Sequence, residues 1–131
     1  MKTTQGKKVA LVAGASGIVG QQLSQALVAD HWQVKALTHR SDYAVSGTEV
    51  IAVDLRDSQQ CQQRLASLTD VTHIFYSAWL NASDWGTMVG PNLAMLQNLV
   101  QTMEDVAPLE HVSLMQGYKV YGAHLGRFKT P

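Results

Sequence analysis

The feature that most constrains the fold of this chain is a glycine-rich turn directly behind a short apolar run. The run, Val9–Ala13, is apolar and β-prone, which is typical of a strand buried on both faces of a parallel sheet. The turn reads Gly14-Ala15-Ser16-Gly17-Ile18-Val19-Gly20, with the spacing Gly-x-x-Gly-x-x-Gly. Apolar residues then recur at helical spacing, at Val19, Leu23, Ala26 and Leu27. Strand, turn and helix predict the first βα unit of a dinucleotide-binding fold, in which the backbone approaches a pyrophosphate at a helix N-terminus.

Strand and helix signals alternate along the rest of the chain. Further strands are predicted at residues 33–37, 50–53, 73–76 and 111–115. Asp57 or Ser58 is predicted to cap a helix that runs to about Leu65, and Pro91 to lie in the first turn of a later helix. That later helix has an apolar stripe, which is assigned mainly to the core: Leu93, Leu96, Leu99, Val100 and Met103. The expected fold is a single α/β domain over residues 1–131, a Rossmann-type doubly wound parallel sheet of about five strands.

Composition argues against several classes of function. The 131 residues carry a formal net charge of zero and no basic cluster, so neither nucleic acid nor an acidic membrane surface is an expected partner. No apolar run approaches membrane-spanning length, and the polar N-terminus lacks the apolar core of a signal peptide. Cys61 is the single cysteine and the histidines have no metal-ligand spacing, so neither an internal disulfide nor a metal site is expected. These features together predict a cytoplasmic protein.

The end of the second strand bears on which nicotinamide cofactor is preferred. An NAD enzyme usually carries an acidic side chain about 20 residues beyond the glycine turn. This chain has Leu37-Thr38-His39-Arg40-Ser41 there, and Asp42 comes slightly late. Arg40, with His39, is suited to hold the 2′-phosphate of NADP, and the Ser16 hydroxyl can add to the same contact. NADP(H) is therefore expected, with NAD(H) as the alternative cofactor and a solvated loop arginine as the alternative interpretation of Arg40.

Two later strand ends add candidate contacts. Asp54 follows the third strand, where a carboxylate can accept a hydrogen bond from the exocyclic amine of adenine. The alternative is a helix cap or a turn aspartate, and Asp57 is the better cap. Ser77 and Trp79 follow the fourth strand and are expected to line the cofactor path, although Trp79 could equally be a packing residue. The expected cofactor contacts up to this point are Gly14, Ser16, Gly17, Ile18, Val19, Gly20, His39, Arg40, Asp54, Leu55, Ser77, Ala78 and Trp79.

Several segments resemble those of one family. The glycine motif is followed by Asp54-Leu55, by Thr69-Asp70-Val71-Thr72-His73-Ile74-Phe75-Tyr76 with Trp79, and by Asn92-Leu93-Ala94-Met95-Leu96-Gln97-Asn98. This order resembles the extended short-chain dehydrogenase/reductases over nearly the whole chain. More narrowly, it is similar to the progesterone 5β-reductase/iridoid synthase-like group, whose bacterial members are often described as NAD-dependent epimerase/dehydratase proteins. The stretch at residues 69–76 with its tryptophan is the most specific part, since ordinary sugar epimerases do not share it.

The resemblance implies a reductase that uses NADPH to deliver a hydride to the β-carbon of an enone, while a tyrosine and a lysine stabilise the enolate oxygen. Lys119 stands at the place of the family's lysine, and a lysine beside an oxyanion in a dry pocket is physically reasonable. Gln116, expected beside the cofactor, replaces the family's threonine, and Val120 its usual histidine, so the polar surroundings of Lys119 differ. The alternative interpretation of Lys119 is an exposed loop lysine.

The family's catalytic tyrosine lies on a segment after the lysine that these residues do not include. None of the tyrosines in the chain is followed by a lysine at the Tyr-x-x-x-Lys spacing: Tyr43, Tyr76, Tyr118 and Tyr121. The expectation is therefore an incomplete domain that ends before the substrate-binding part. Such a chain should bind the cofactor better than it catalyses and should be inactive alone.

Two classes of function remain open from the sequence. One is an NADP(H)-dependent oxidoreductase that acts on an activated C=C or C=O bond of a small molecule, with a sugar-nucleotide epimerase or dehydratase as a variant. The other is a non-catalytic dinucleotide sensor or scaffold. A tyrosine and substrate-domain elements further along the parent protein would favour the enzyme. An uncovered sheet edge would favour self-association, so a homo-oligomer is open as well.

Overall fold

The computed structural model describes residues 6–40 and 42–117. In chain order the elements are β1 (Val9–Ala13), α1 (Ile18–Ala29), β2 (Gln33–Thr38), β3 (Thr48–Ala52), α2 (Ser58–Leu65), β4 (His73–Tyr76), α3 (Trp85–Val106) and β5 (His111–Leu114). Within these ranges no helix combines the length and the apolar composition that crossing a bilayer requires.

The described strands form one five-stranded parallel sheet in the order β3-β2-β1-β4-β5. Strand β1 lies at the centre, and all of its residues are buried, as its continuous apolar run predicts. The chain steps outward from β1 to β3 and then returns to pair β4 with β1. The strand order therefore reverses between β1 and β4, and the predicted Rossmann-type fold is confirmed.

The core lies on both faces of the sheet, because successive side chains of a strand point to opposite sides. The face covered by α2 and α3 holds the larger cluster, which includes Leu11, Leu37 and Ile74. The other face is covered by α1, whose Leu27 packs with a smaller cluster that includes Val12. The two helical layers leave the carboxyl ends of the strands free of helix, and this edge carries the loops described below.

The strand bounds differ slightly from those predicted. Strand β4 has the predicted bounds, β2 is one residue longer and ends at Thr38, and β5 ends at Leu114 rather than at residue 115. Strand β3 occupies Thr48–Ala52 rather than 50–53. Its register explains the difference, since Thr48 pairs with Val34 and Ala52 pairs with Thr38. The position of β3 thus follows its pairing with β2 more than its own apolar residues.

The prediction that Pro91 lies in the first turn of α3 is wrong. The helix begins at Trp85, and the Asp84 carboxylate caps it by accepting a backbone N–H at 2.9 Å. Pro91 therefore lies inside the helix, where its nitrogen has no hydrogen to donate to the preceding turn. The side chain of Asn92, the next residue, donates from Nδ2 to the carbonyl oxygen of Met88 at 2.9 Å.

The apolar stripe predicted on α3 is only partly core. Met95, Leu99 and Met103 recur every four residues, face the sheet and are buried. Leu93, which belongs to the predicted stripe, is 50% exposed. Helix α3 thus has apolar residues on two faces, and in the described part of the chain only the face with Met95 packs fully into the core.

Candidate functional site

A cleft of about 670 Å³ crosses the carboxyl ends of the strands where the strand order reverses. This volume is within the range of small-molecule sites, roughly 300–1,000 Å³. The predicted contact residues that line it are Gly14, Ser16, Gly17, Ile18, Val19, Gly20, His39, Asp54, Leu55, Ser77, Ala78 and Trp79. Arg40 and Gln116 are not among its lining residues, whereas Arg56, which the sequence analysis missed, is.

The three glycines of the turn have different structural roles. Gly14 has φ +76°, and a Cβ there would lie 2.7 Å from the backbone nitrogen of Ala78. A Cβ at Gly20 would overlap the carbonyl oxygen of Gly14. Among the described residues, a Cβ at Gly17 would meet only that same oxygen, at 3.4 Å, which is an ordinary contact. Gly14 and Gly20 are thus required by the fold, while Gly17 faces open space at the cleft.

The N-terminus of α1 is uncapped beside this open space. Gly17 is its N-cap residue, without a side-chain cap bond, and the first turn has no acidic residue. The N–H groups of a first helical turn have no partner within the helix, and the helix dipole places roughly half a positive charge there. This end of α1 can therefore donate to an anion in the cleft.

The Ser16 hydroxyl adds a donor near the same helix end. The Thr38 hydroxyl donates to Ser16 Oγ at 3.1 Å, and Thr38 Oγ1 accepts the backbone N–H of Arg40 at 3.0 Å. In this arrangement the hydroxyl proton of Ser16 is not used by Thr38. Ser16 can therefore donate to a ligand while Thr38 holds its oxygen in place.

Tyr43 braces the glycine turn from the loop between β2 and β3. Its hydroxyl donates to the carbonyl oxygen of Ala15 at 2.8 Å, and the Ala15 N–H donates to Leu37 at 3.0 Å. Partial burial raises the pKa of the Tyr43 hydroxyl above its ordinary value, so it remains a donor at neutral pH. Sequence reasoning missed Tyr43, because a turn brace from a distant loop leaves no local pattern.

At the β3 end of the cleft, Asp54 is paired with Arg56. Asp54 Oδ1 accepts the backbone N–H and the Nε–H of Arg56, and Oδ2 accepts Nη2, all at 3.0 Å. These bonds hold the pKa of the Asp54 carboxyl below its ordinary value, so it is ionised at neutral pH. Asp54 is thus a turn aspartate, and it also faces the cleft. Asp57 caps α2 through Gln60 at 3.1 Å, which confirms the predicted cap.

Arg40 lies beside the cleft rather than in its lining. Its Nε is 3.4 Å from Asp42 Oδ1, and both side chains are more than half exposed. The bond to Arg40 holds the pKa of the Asp42 carboxyl below its ordinary value. His39, the neighbouring residue, does line the cleft.

Amide side chains on the two helices below the cleft hold its loops. Asn92 Oδ1 accepts the N–H of Leu80 at 2.9 Å, and its Nδ2 donates to the Leu80 carbonyl at 2.8 Å. Asn98 Nδ2 donates to the carbonyl of Leu55 at 2.8 Å, and Gln60 Oε1 accepts the N–H of Asp54. Amide spacing along a helix is too common a pattern to have revealed these roles in advance.

The loop after β4 forms the other end of the cleft. Ser77 is tied to β1, since its N–H and its hydroxyl both donate to Ala13, at 3.0 and 2.7 Å. Trp79 is 59% exposed and its Nε1 donates to Asn81 at 2.9 Å, so its ring remains at the cleft surface. Ser77 is thus bonded to the scaffold, whereas Trp79 has a side chain that a ligand in the cleft can reach.

A second cavity, of about 810 Å³, adjoins the cleft through this loop. Its lining includes Trp79, Trp85, Leu93, Met115 and Gln116. The predicted catalytic Lys119 lies outside the described residues, shortly after this lining ends. The cavity is mostly apolar, and it lies on the β4 and β5 side of the sheet.

The donor set of the cleft fits a dinucleotide. A pyrophosphate needs unpaired N–H donors and room for close backbone approach, and the end of α1 at Gly17 offers both. An adenosine needs a hydrogen-bonding edge, which Asp54 offers beyond β3. Between these points the cleft is continuous, so the residues present fit such a group.

The sequence matches the model of the NAD dependent epimerase/dehydratase family over residues 10–128. A 3-oxo-Delta(4,5)-steroid 5-beta-reductase from Arabidopsis thaliana is 33% identical over 127 residues, which cover 88% of this chain and 32% of that protein. An (S)-8-oxocitronellyl enol synthase from Catharanthus roseus is 34% identical over 124 residues, with 88% and 31% covered. The resemblance seen in the sequence is confirmed, and the chain spans about a third of the length of these relatives.

Solved structures show the same fold. WbmG from Bordetella bronchiseptica, in complex with NAD, has a TM-score of 0.74 at 17% identity over 93% of this chain and 41% of that chain. A UDP-glucose 4-epimerase has a TM-score of 0.73 at 16% identity, covering 88% and 37%. At these identities the likeness concerns the fold alone, but the family match covers most of the sequence. The chain therefore belongs to the NAD dependent epimerase/dehydratase family.

Proposed function

We propose that this chain holds NADP(H) across the carboxyl ends of its strands, as the cofactor-binding part of an oxidoreductase. The observation that carries the proposal is the contrast within the glycine turn. The backbone closes tightly around Gly14 and Gly20 and leaves open space at Gly17, beside the uncapped end of α1. That combination suits close approach of a pyrophosphate to free N–H donors.

The remaining contacts follow the length of the cleft. Ile18 and Val19 are 88% and 52% exposed at the first turn of α1, so they offer apolar surface to a bound molecule. Leu55 borders the proposed adenine site and Ala78 borders the turn, while Ser16 donates to a phosphate oxygen. Together these contacts fix a dinucleotide in an extended form from β3 to β4.

The preference for NADP(H) over NAD(H) is supported by the charges near the end of β2. His39 lines the cleft, and the Arg40 guanidinium lies beside it, paired with Asp42. This ion pair is exposed, so exchange of the Asp42 carboxylate for a 2′-phosphate costs little. A guanidinium can bind a phosphate through two parallel hydrogen bonds.

We propose that the whole protein reduces an activated C=C or C=O bond of a small molecule. When bound, the nicotinamide supplies the hydride. The apolar cavity beside Trp79 is proposed to hold the substrate, because it adjoins the cleft at the β4 end. Gln116 borders that cavity, and Lys119 follows closely in sequence, so its ammonium is proposed to stabilise the oxygen that becomes negative.

Titration calorimetry of the chain with NADPH and NADH tests the binding proposal. Both cofactors are expected to bind, NADPH more tightly, and Arg40→Ala is expected to remove a large part of the difference. Equal affinities for NADPH and NADH in the unsubstituted chain would contradict the NADP(H) preference and return Asp42 to consideration as a ribose contact. Failure of the folded chain to bind either cofactor would contradict the proposed function itself.

Consumption of NADPH with a panel of small enones tests the catalytic proposal. The 131 residues alone are expected to show little turnover, because the group that donates to the substrate oxygen is proposed to lie further along the parent protein. A longer parent protein is expected to be active, and its Lys119→Met variant to lose activity while keeping its affinity for NADPH. Rapid turnover by the 131 residues alone would contradict the proposed position of the donor group. Full activity of the Lys119→Met variant of the longer protein would contradict the proposed role of Lys119.

We also propose a cytoplasmic location, which the free, buried thiol of Cys61 supports. Burial raises the pKa of that thiol to about 11, so it is unreactive at neutral pH. A homo-oligomer is proposed from β5, which is the outer strand of the described sheet and whose His111 and Leu114 are exposed. Sedimentation of the parent protein measures its oligomeric state, and a monomer at all concentrations would contradict the last proposal.

A further inference from the structure

We propose that Asp54 and Arg56 act as one unit that selects adenine at the base end of the cofactor. The amine contact of Asp54 is already expected from its position after β3, and the new element is Arg56, which donates a hydrogen bond to the ring nitrogen N7 of adenine. The inference rests on the proposed function, since it concerns the same cleft. It assigns a role to Arg56, a residue that the glycine motif and the family resemblance leave unassigned.

The hydrogen-bonding capacity of Asp54 leaves room for a single further donor. An ionised carboxylate has about four acceptor positions, two on each oxygen. Arg56 occupies both positions on Oδ1, through its backbone N–H and its Nε–H, and one position on Oδ2, through Nη2. The remaining position lies on Oδ2, and one amine hydrogen is enough to fill it.

Arg56 has a hydrogen-bond donor to spare beside the acceptor position that remains on Asp54. A guanidinium has five N–H donors, and Asp54 uses the one on Nε and one of the two on Nη2. The second N–H of Nη2 is not used by Asp54, and it lies on the same nitrogen that donates the other N–H to Oδ2. Among the described residues a free donor thus lies next to a free acceptor. Both residues line the cleft, with the Arg56 side chain 58% exposed and that of Asp54 39% exposed.

An acceptor beside a donor matches adenine and mismatches the other purines. On this edge adenine presents the N6 amine and the N7 acceptor, whereas guanine presents two acceptors, O6 and N7. Asparagine and glutamine amides recognise adenine through the same acceptor and donor order. Hypoxanthine, like guanine, would place its O6 against the Asp54 carboxylate, and the two acceptors would repel each other.

The unit is held in place before any ligand arrives. Gln60, at the start of α2, accepts the N–H of Asp54, and Arg56 is fixed by three bonds to Asp54. Asp54 follows β3, whose last residue Ala52 pairs with Thr38 of β2. The pair therefore lies beside the end of β2, on the adenosine side of the point where the strand order reverses.

A 2′-phosphate is a poorer partner for Arg56 than adenine is. The ionised Asp54 carboxylate stays bonded to the guanidinium and would repel a phosphate dianion at close range. The edge of adenine carries no net charge and supplies both the donor and the acceptor that the pair lacks. Arg40, on the neighbouring loop, remains the proposed partner of the phosphate.

Three dinucleotides that differ only in the base test the proposal by calorimetry on the full chain. They are NAD⁺, nicotinamide hypoxanthine dinucleotide, and nicotinamide 7-deazaadenine dinucleotide, which has a carbon in place of N7. The parent chain is expected to bind NAD⁺ about five- to tenfold more tightly than either analogue. Arg56→Met is expected to bind NAD⁺ and the 7-deaza analogue equally while still discriminating against hypoxanthine. Arg64→Met, on the exposed side of α2, is the matched control and should behave as the parent.

Equal binding of NAD⁺ and the 7-deaza analogue by the parent chain would overturn the role of Arg56, and this measurement needs no variant that might fold poorly. An Arg56→Met chain that keeps the parent's difference between these two ligands would overturn it as well. Binding of none of the three by the folded chain would overturn the proposed function, and this inference with it.

Discussion

Gly17→Val separates binding from folding, because the structure gives this one glycine of the turn room for a side chain. Gly17 has φ −77° and ψ 171°, an extended conformation that any residue adopts, and in the described part of the chain a Cβ there meets only Gly14 O, at 3.4 Å. Valine is a poorer N-cap than glycine, so the expected cost is about 1 kcal/mol of unfolding free energy, or about 3–5 °C in Tm. The variant should therefore fold.

The effect on binding should be far larger. The valine side chain would occupy the open space beside the uncapped end of α1, where the pyrophosphate is proposed to lie. With that space filled, the phosphates could no longer approach the N–H groups of the first helical turn. We expect the affinity for NADPH to fall at least about 100-fold, which corresponds to about 2.7 kcal/mol.

Calorimetry with NADPH and thermal unfolding measure the two effects on the same samples. Gly6→Val is the matched control, since among the described residues a Cβ at Gly6 meets nothing within 4 Å and Gly6 does not line the cleft. Gly20→Val is the opposite control and should fail to fold, because its Cβ would overlap Gly14 O. A folded Gly17→Val chain with the parent's affinity would refute the placement of the pyrophosphate at this turn.

Three further predictions concern polar groups that are buried or half-buried. Within the described residues the buried Tyr76 hydroxyl has no partner, and burial raises its pKa to about 12, so the parent should lose stability as the pH rises from 10 to 12. Urea unfolding should show that Tyr76→Phe loses less unfolding free energy between pH 10 and pH 12 than the unsubstituted chain does. At pH 7 the variant should be as stable as the unsubstituted chain or up to about 1 kcal/mol more stable. A greater loss of stability at alkaline pH in the variant would contradict this prediction. Lys35 is 6% exposed and pairs with Glu49 and Asp70 at 3.0 and 3.6 Å, and both carboxylates are more than half exposed. Lys35→Met should therefore change the unfolding free energy by less than about 1 kcal/mol. The double substitution Glu49→Gln with Asp70→Asn leaves the buried ammonium without a counter-ion and should cost about 1–2 kcal/mol. The reverse order would refute the reasoning. Asn92→Asp, which keeps the acceptor for Leu80 N–H but loses the donor, should cost about 1–2 kcal/mol and weaken NADPH binding, and parent-like values of both would count against the role of this amide.

The fold was best predicted where it depends on short patterns of neighbouring residues. The buried run of β1 and the glycine spacing after it predicted the first βα unit, and the alternation that follows predicted the parallel sheet. The start of α3 was missed because Pro91 is a strong local signal for a first turn, whereas Asp84, the actual cap, precedes a segment that contains two glycines. Leu93 was assigned to the core because periodicity alone does not say which of two apolar faces packs.

The sequence predicted which residues at the strand ends line the cleft, but it did not predict most of their hydrogen-bond and ion-pair partners. Asp54 was placed at the cleft by its position after β3, but its pairing with Arg56 depends on the shape of a turn that sequence patterns do not specify. Arg40 was expected in the cleft, and the structure places it beside the cleft with Asp42. Tyr43 reaches Ala15 from 28 residues away, so no local pattern could have indicated it.

The amide bonds that hold the cleft loops have a consequence for how solution measurements should be interpreted. Asn92, Asn98 and Gln60 do not titrate, and their bonds are between neutral groups, so the frame of the cleft should be insensitive to ionic strength and to pH near neutrality. The exposed ion pairs at Asp54 and Asp42 are, by contrast, screened by salt. A salt titration of nucleotide affinity therefore reports on the charges that face the ligand, with little contribution from changes in the scaffold.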